Sequence, residues 1–268
     1  MKLSEIVEIF NNKNIEYVGI CPFIQAYPLI QCRAINRIPQ NAKSIIVCLF
    51  PYYIGEYKNR NISRYALGND YHKIISDILG ICIQELLQYF PNGNFEAFVD
   101  NSPLREIAIA KIAQLGNIGL NNQLINEKYG TYTFIGSIVT DIEIDDNSNR
   151  QIPSCLNCCA CINACPTGAL TPDNFNKSIC RSFITQKKGE LTLSEQNEIK
   201  NGGLIWGCDI CNDVCPFNKS PILSPIKEMY TNICERINYE NLSQLICDKA
   251  FEYRGFNVIS RNIDILYK

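Results

Sequence analysis

Residues 155–166 read CLNCCACINACP and hold five of the chain's 15 cysteines. Four of these five follow the spacing Cx2Cx2Cx3C, which runs from Cys155 to Cys165, and a proline comes next. Three thiolates on one tight loop can reach three corners of an iron–sulfur cubane, whereas the fourth thiolate, one turn further on, points away from that cubane. This stretch therefore predicts ligands for more than one cluster.

A second run of cysteines has the same ending. The spacing Cx2Cx3C runs from Cys208 to Cys215 before Pro216, and Ile205 stands where the first cysteine would be. The repeated spacing is that of bacterial ferredoxins, in which the fourth cysteine of a run serves the other cluster of a pair. Each cubane needs four thiolates, so one more cysteine is required, and Cys180 lies between the two runs. We therefore predict two [4Fe–4S] clusters, with the ligands Cys155, Cys158, Cys161 and Cys215 for the first and Cys165, Cys180, Cys208 and Cys211 for the second.

Two structural zinc sites are the alternative, since paired CxxC motifs also bind zinc. Zinc sites do not need the x3-Cys-Pro step twice, which favours iron–sulfur clusters. Cys159 lies out of register with the ligands and is predicted to bind no metal. The other cysteines outside the ligand set are predicted to behave as small hydrophobic residues; they are Cys21, Cys32, Cys48, Cys82, Cys234 and Cys247.

Composition and charge limit the class of protein further. The single histidine excludes every site that needs two, such as paired-histidine zinc proteases. The net charge of −2 argues against a strongly basic nucleic-acid surface but allows a local basic patch. The N-terminus lacks a signal-peptide pattern and no run approaches about 18 apolar residues, so we expect a cytoplasmic protein with no membrane partner. Clustered cysteines in that compartment more often bind metal than form disulfides.

The first part of the chain alternates helix and strand patterns. Apolar periodicity predicts helices over 3–10, 71–89 and 107–115, and strands over 17–20, 44–50, 95–99 and 132–139. This mixture predicts an α+β fold with a mixed sheet, followed by a ferredoxin-like double-cluster domain. The polar stretch 145–151 is typical of a linker. We predict an α+β domain over 1–148, a cluster domain over 149–220, and a helical C-terminal segment over 221–268 that packs on the core.

The only histidine lies in the segment 64–73, which reads RYALGNDYHK. One interpretation is a helix N-terminus, with Asp70 as its cap and a polar first turn. The other interpretation is a polar substrate pocket formed by Tyr65, Asp70, Tyr71 and His72.

Asp100 directly follows the apolar strand pattern of residues 95–99. A carboxylate at this position can cap a loop. It can also be a partly desolvated acid whose raised pKa suits it to donate a proton. The sequence position leaves both interpretations open.

Taken together, these segments resemble the epoxyqueuosine reductase family, a cobalamin-dependent tRNA-modification family related to reductive dehalogenases. The matching pieces occur in order over nearly the whole chain, at residues 64–73, 99–100, 115–119, 155–170, 180–185, 207–218 and 261–262. The chain stops at Lys268, so the resemblance is to a short form without the C-terminal helical-repeat extension that helps longer members to hold tRNA.

The resemblance implies a base-off cobalamin between the α+β domain and the cluster domain, with Asp100 as the proton donor. The corrin-binding residues that it implies are Arg64, Asp100, Leu124, Ser182, Asp209 and Ile210. The implied reaction removes the epoxide oxygen of epoxyqueuosine in tRNA with two electrons, giving queuosine and water. The implied partners are tRNA, bound through a local patch, and a reduced flavodoxin- or ferredoxin-type electron donor. We expect a monomer.

The chain departs from the family pattern at positions that bear on substrate recognition. Ile107 stands where the family usually has arginine, residues 116–121 read GNIGLN in place of GWIGKN, and residues 185–187 read TQK in place of TIE. One alternative is therefore a related corrinoid and iron–sulfur reductase that acts on another small molecule. A second alternative is a double-cluster electron-transfer protein that binds no corrin.

Overall fold

Strands from the first part of the chain form one antiparallel sheet and one short hairpin. The structure is a computed structural model, and it describes residues 3–146 and 150–268. Its strands are β1 (Val18–Pro22), β2 (Ser44–Pro51), β3 (Phe95–Val99), β4 (Asn117–Ile118), β5 (Leu124–Ile125) and β6 (Thr133–Thr140). Four strands pair in the order β1-β2-β6-β3, and β4 pairs with β5.

Helices cover the sheet and are the main regular elements of the second part of the chain. The helices of the first part are α1 (Leu3–Asn11), α2 (Tyr71–Tyr89) and α3 (Glu106–Ile112). Those that follow are α4 (Ala160–Ala164), α5 (Arg181–Gln186), α6 (Leu193–Gly202), α7 (Ile210–Asp213), α8 (Tyr239–Leu245) and α9 (Phe256–Tyr267). α3 ends earlier than its pattern predicts because Gln114 adopts a left-handed conformation with φ of 56°.

The α+β class is confirmed, but the prediction of a mixed sheet is wrong. β2 and β3 run in the same direction, and α2 connects them along the chain. β6 lies between these two strands and is antiparallel to both, so no parallel pair forms within the sheet. The intervening strand comes from much later in the chain, and local periodicity carries no information about such a pairing.

β2 is buried on both faces because a helical layer packs on each side of the sheet. Successive side chains of a strand point to opposite faces. Ile46, Cys48 and Phe50 therefore join the core formed with α1 and α2. The alternate residues Ile45, Val47 and Leu49 join the core formed with α3.

The C-terminal segment shares the core that lies beneath α2. Trp206 is buried there, and its ring lies 5.6 Å from that of Phe251. The Trp206 carbonyl accepts a hydrogen bond from the N–H of Ser63, so the second part of the chain pairs directly with the first. The predicted domain boundary between residues 148 and 149, and the centre of the predicted linker, lie outside the described residues. The division into domains stays a prediction.

No helix within the described ranges combines the length and apolar character that a membrane span requires.

Lys249 connects the C-terminal segment to the loop that precedes α2. Its side chain is 0% exposed. The ammonium group donates to the carbonyls of Leu67 at 2.8 Å, Gly68 at 2.9 Å and Asn232 at 2.6 Å. The Leu67 carbonyl also accepts the N–H of Cys234, so the buried Gly68 carbonyl is the one that depends most on this side chain.

We expect Lys249→Met to lower the free energy of unfolding by about 1–3 kcal/mol, because it leaves the buried Gly68 carbonyl without a donor. Denaturant unfolding followed by circular dichroism measures this loss. Lys200→Met, at an exposed lysine of α6, is the matched control and is expected to have little effect. Equal stability of the two variants would contradict the prediction.

Candidate functional site

The cysteines of the first predicted cluster surround one small cavity. Its volume is about 20 Å³, and its lining includes Cys155, Cys158, Cys161 and Cys215. Cys159 also borders it, although the Cys159 thiol lies 3.6 Å from the carbonyl oxygen of Asn157 in its own loop. Among the predicted ligands, Cys158 is exposed, whereas Cys161 and Cys215 are buried.

The cysteines of the second predicted cluster line a larger, partly open cavity of about 230 Å³. They are Cys165, Cys180, Cys208 and Cys211. Cys180 directly precedes α5, and the fold brings it to the same cavity as the three cysteines from the two runs. The structure therefore groups the eight cysteines in the two sets that their spacing predicts.

These thiols are arranged more widely than the ligands of one metal ion. Among residues 3–146 and 150–268, no three His, Cys, Asp or Glu side chains are close enough to hold a single ion. A cubane shares four irons among four thiolates and needs ligands that lie further apart.

The pKa of Cys165 is shifted in the opposite direction to those of Cys208 and Cys211. Burial raises the pKa of Cys208 to about 11 and that of Cys211 further. Burial also acts on Cys165, but hydrogen bonds from the Leu170 N–H and the Thr167 hydroxyl outweigh it and lower its pKa. Because metals bind the thiolate, the turn after Cys165 prepares this ligand in advance.

Aromatic side chains from the α+β part form the opposite wall of the larger cavity. Tyr71 begins α2 and stacks on Phe134 of β6, with their ring centroids 3.7 Å apart. Tyr52, directly after β2, lies 4.6 Å from the same Phe134 ring. Tyr65 completes this wall. The wall forms here because β2 and β6 pair in register where Pro51 lies opposite Thr133.

The structure places only some of the implied corrin-binding residues at this cavity. Ser182, Asp209 and Ile210 line it. Arg64 does not, because its guanidinium forms ion pairs with Glu56 and Asp213.

Leu124 is also absent from the cavity lining. It is buried in the core formed with α3, on the other side of the sheet from α2. For Arg64 and Leu124 the implied corrin contact is therefore not supported.

A chain of three polar side chains lies behind the aromatic wall. Asp70 caps α2 by accepting the His72 N–H, as predicted, and its carboxylate also lies 2.6 Å from His72 Nδ1. His72 Nε2 lies 3.1 Å from Asp100 Oδ2, which also accepts a short hydrogen bond from the Tyr71 hydroxyl. Asp70 and His72 do not line the cavity; Tyr71 does, so Asp100 reaches it through Tyr71.

Among these polar side chains, His72 is the one that carries the proton at neutral pH. Burial disfavours the imidazolium, but hydrogen bonds to Asp100 and Asp70 outweigh burial and raise the pKa of His72 to about 9. The protein atoms packed around Asp100 act to raise its pKa, yet the hydrogen bonds from His72 and Tyr71 lower it overall. The interpretation of Asp100 as an acid with a raised pKa is therefore not supported, and its side chain is 50% exposed.

Three residues at the site were missed by the sequence analysis. Glu106 begins α3, where an acidic residue is ordinary, but burial and the nearby Asp100 raise its pKa to about 8. Asn121 and Thr133 line the larger cavity, and each has a buried polar atom without a hydrogen-bond partner among the described residues. Of these three residues, only Asn121 could have been found from the sequence, because it matches the asparagine of the family's GWIGKN pattern.

Comparison with known proteins assigns both parts of the chain. Residues 33–101 match the family model described as "Epoxyqueuosine reductase QueG, DUF1730". Residues 154–218 match the model described as "4Fe-4S double cluster binding domain". The second match covers all eight predicted cluster ligands.

Related proteins and solved structures extend the similarity over most of the chain. The chain is 34% identical over 240 residues to the epoxyqueuosine reductase of Leadbetterella byssophila, covering 85% of this chain and 78% of that protein. It is 32% identical to that of Lactococcus garvieae over 78% of this chain and 61% of the relative.

Two solved structures share the fold over 98% of this chain and 80% of their own. One is epoxyqueuosine reductase from Streptococcus thermophilus, with 24% identity and a TM-score of 0.80. The other is epoxyqueuosine reductase with an epoxyqueuosine-modified tRNA-Tyr stem loop, with 23% identity and a TM-score of 0.81. On its sequence identity to the curated relatives, this chain belongs to the epoxyqueuosine reductase family.

Proposed function

We propose that this protein is an iron–sulfur and corrinoid-dependent reductase that converts epoxyqueuosine to queuosine in tRNA. One observation carries the proposal: a single cavity has four thiols on one wall and, on the other, Tyr71 hydrogen-bonded to the Asp100–His72 pair. An electron source and a proton source therefore face the same space. The names of the curated relatives support the substrate.

Both cysteine groups hold [4Fe–4S] clusters in this proposal, with the ligand sets that spacing and cavity lining both select. The group with the exposed Cys158 receives electrons from a reduced flavodoxin- or ferredoxin-type donor. The group at the larger cavity passes them to the reacting centre. The match to a double-cluster domain supports the pair of clusters.

The larger cavity also fits part of a corrinoid. Its aromatic wall suits a flat macrocycle, and the unpartnered Thr133 Oγ1 suits the polar rim of such a ligand. The volume of about 230 Å³ is below the roughly 300–1,000 Å³ of typical ligand pockets, so a large ligand extends through the open side. Ser182, Asp209 and Ile210 would hold it from the cluster side.

When bound, the corrinoid supplies the two-electron reduction that breaks the epoxide C–O bonds. The oxygen leaves as water, so the reaction consumes two electrons and two protons. His72 holds a proton at neutral pH, and Asp70 keeps its ring directed at Asp100. As negative charge develops on the substrate oxygen, a proton can cross the 3.1 Å from His72 Nε2 to Asp100 Oδ2, and the Tyr71 hydroxyl, which contacts Asp100 at the cavity, can pass it on. The second proton comes from water through the open side of the cavity.

A small basic and aromatic cluster beside the cavity suits the tRNA. Lys177 Nζ and Lys187 Nζ lie 5.4 Å and 5.8 Å from the ring centre of Phe183. Phe183 adjoins Ser182, which lines the cavity. An aromatic ring beside two cations can stack a base and attract the phosphate backbone, which provides a local patch despite the negative net charge.

The two cysteine groups predict about eight iron atoms per chain after anaerobic reconstitution, measured by iron and zinc analysis. Cys208→Ser should retain about four, because it removes a ligand from only one group. Cys159→Ser is the matched control and should retain about eight. Stoichiometric zinc, or about four irons in the unmodified protein, would contradict the ligand assignment.

The polar chain predicts that His72 titrates near pH 9, and that Asp100→Asn lowers this pKa by removing a carboxylate acceptor. The chain has one histidine, so NMR of the labelled imidazole in the oxidised protein reports it without ambiguity. Because the folded-state pKa is raised, His72 contributes stability below its unfolded value of about 6.5, and this is lost as pH rises through about 9. Asp77→Asn, an exposed carboxylate on α2, should leave the titration unchanged; a midpoint near 6.5 in the unmodified protein would refute this prediction.

The proposed function predicts that the gene for this chain restores queuosine in a strain lacking epoxyqueuosine reductase, measured by nucleoside analysis of tRNA. Asp100→Asn should reduce turnover by about 10²–10⁴-fold while both clusters remain, because it interrupts proton delivery. Asp77→Asn again serves as the control. A fully loaded protein that produces no queuosine would favour a related reductase with another substrate.

A further inference from the structure

The loop between β4 and β5 reaches the space between the two cysteine groups. Gly119 and Leu120 border the smaller cavity, and Gln123 borders the larger one. Among the described residues, Asn121 alone lines both cavities. This side chain therefore lies where the two proposed clusters approach each other.

One polar atom of the Asn121 carboxamide has a hydrogen-bond partner, and the other has none among the described residues. Its Oδ1 accepts the N–H of Gln123 at 3.3 Å, which fixes the oxygen within its own loop. Its Nδ2 is buried and has no partner among the described residues, and the whole residue is 4% exposed. A buried donor without an acceptor costs about 1–3 kcal/mol, so a partner outside the protein chain is expected.

Sulfur is the acceptor that these two cavities have in common. The smaller cavity is lined by thiols and apolar groups, among them Leu156 and Phe217, and has little polar surface apart from the loop itself. Thr133 Oγ1 is also unpartnered, but Thr133 lines only the larger cavity and thus suits a ligand there. The position of Asn121 therefore points to a partner shared with the cluster sites.

We infer that the Asn121 carboxamide donates an N–H hydrogen bond to a sulfur of an iron–sulfur cluster and thereby raises its reduction potential. The inference rests on the two clusters of the proposed function. Reduction adds an electron, and the negative charge on the cluster sulfurs increases. A hydrogen-bond donor stabilises that reduced state, and hydrogen bonds to the sulfurs are among the factors that set cluster potentials.

Asn121→Leu keeps the approximate size of the side chain and removes the donor without adding charge. Asn121→Asp also removes the donor but keeps the oxygen that accepts the Gln123 N–H, so it preserves the loop. Asn122→Gly is the matched control, because Asn122 is exposed, lines neither cavity and has a φ of 57° that glycine adopts freely.

The experiment is an anaerobic redox titration followed by electron paramagnetic resonance, after the iron content of each protein has been measured. We expect both Asn121 variants to keep about eight irons and to lower the potential of at least one cluster, while Asn122→Gly leaves both potentials unchanged. Unchanged potentials in Asn121→Leu would overturn the inference, even if Asn121→Asp shifts them, since added charge alone would then be acting. Loss of iron from both Asn121 variants would also overturn it, because Asn121 would then be a packing residue.

The iron content of the unmodified protein separates this inference from the proposed function. If the unmodified protein lacks two clusters, the proposed function fails. If it has them and Asn121→Leu behaves like the control, only the role of Asn121 fails.

Discussion

The buried carboxylate of Asp209 joins the two parts of the molecule, and the site depends on this contact. Asp209 is 3% exposed and lies between the ligand candidates Cys208 and Cys211. It accepts hydrogen bonds from Arg60 at 2.6 Å, from the Ser63 hydroxyl at 2.5 Å and from the Arg64 N–H at 3.0 Å. A buried charge is tolerated only when paired and hydrogen-bonded, so this carboxylate specifies how the cysteine segment sits on the sheet.

A second network holds the same junction from the other side. Asn218 Nδ2 donates to Thr131 Oγ1 and to the carbonyl of Asn212, while its Oδ1 accepts the Thr131 N–H. Gly130 is required beside it, because a Cβ there would lie 1.9 Å from Asn218 Oδ1 and because its φ is 57°. One junction lies within the run of cysteines around α7, at Asp209, and the other lies directly after it, at Asn218. This short segment is therefore held to the first part of the chain at two points.

Features that depend on residues close together in the sequence could be predicted, whereas features that depend on distant segments could not. The bounds of α2 and β3 were predicted correctly because local periodicity and the cap at Asp70 determine them. The two cavities are lined by the two predicted sets of cysteines, and that grouping came from the ferredoxin spacing, in which the fourth cysteine of a run serves the other cluster. The position of β6 between β2 and β3 was not, because it depends on pairing between distant segments.

The pKa shifts at the site also depend on residues that lie far apart in the sequence. Asp100 can be singled out from its place at the end of a strand, but the direction of its pKa shift depends on His72 and Tyr71, which precede it by almost thirty residues. Glu106 resembles any acid in a first helical turn until its burial near Asp100 is known. For such groups the residue type suggests a role, whereas the three-dimensional neighbours decide which partner carries the proton.

The placement of the thiols and of Tyr71 at one cavity follows from the fold itself. Two of the thiols, those of Cys208 and Cys211, flank Asp209, whereas Tyr71 and His72 begin α2 and Asp100 directly follows β3. β2 and β3 run in the same direction and α2 connects them along the chain. The first turn of α2 and the carboxyl end of β3 therefore lie at the same end of the strands. Tyr71 stacks on Phe134, and both rings line the cavity that the thiols also line. The fold thereby brings four thiols and the Tyr71 ring, whose hydroxyl is hydrogen-bonded to Asp100, to the same cavity.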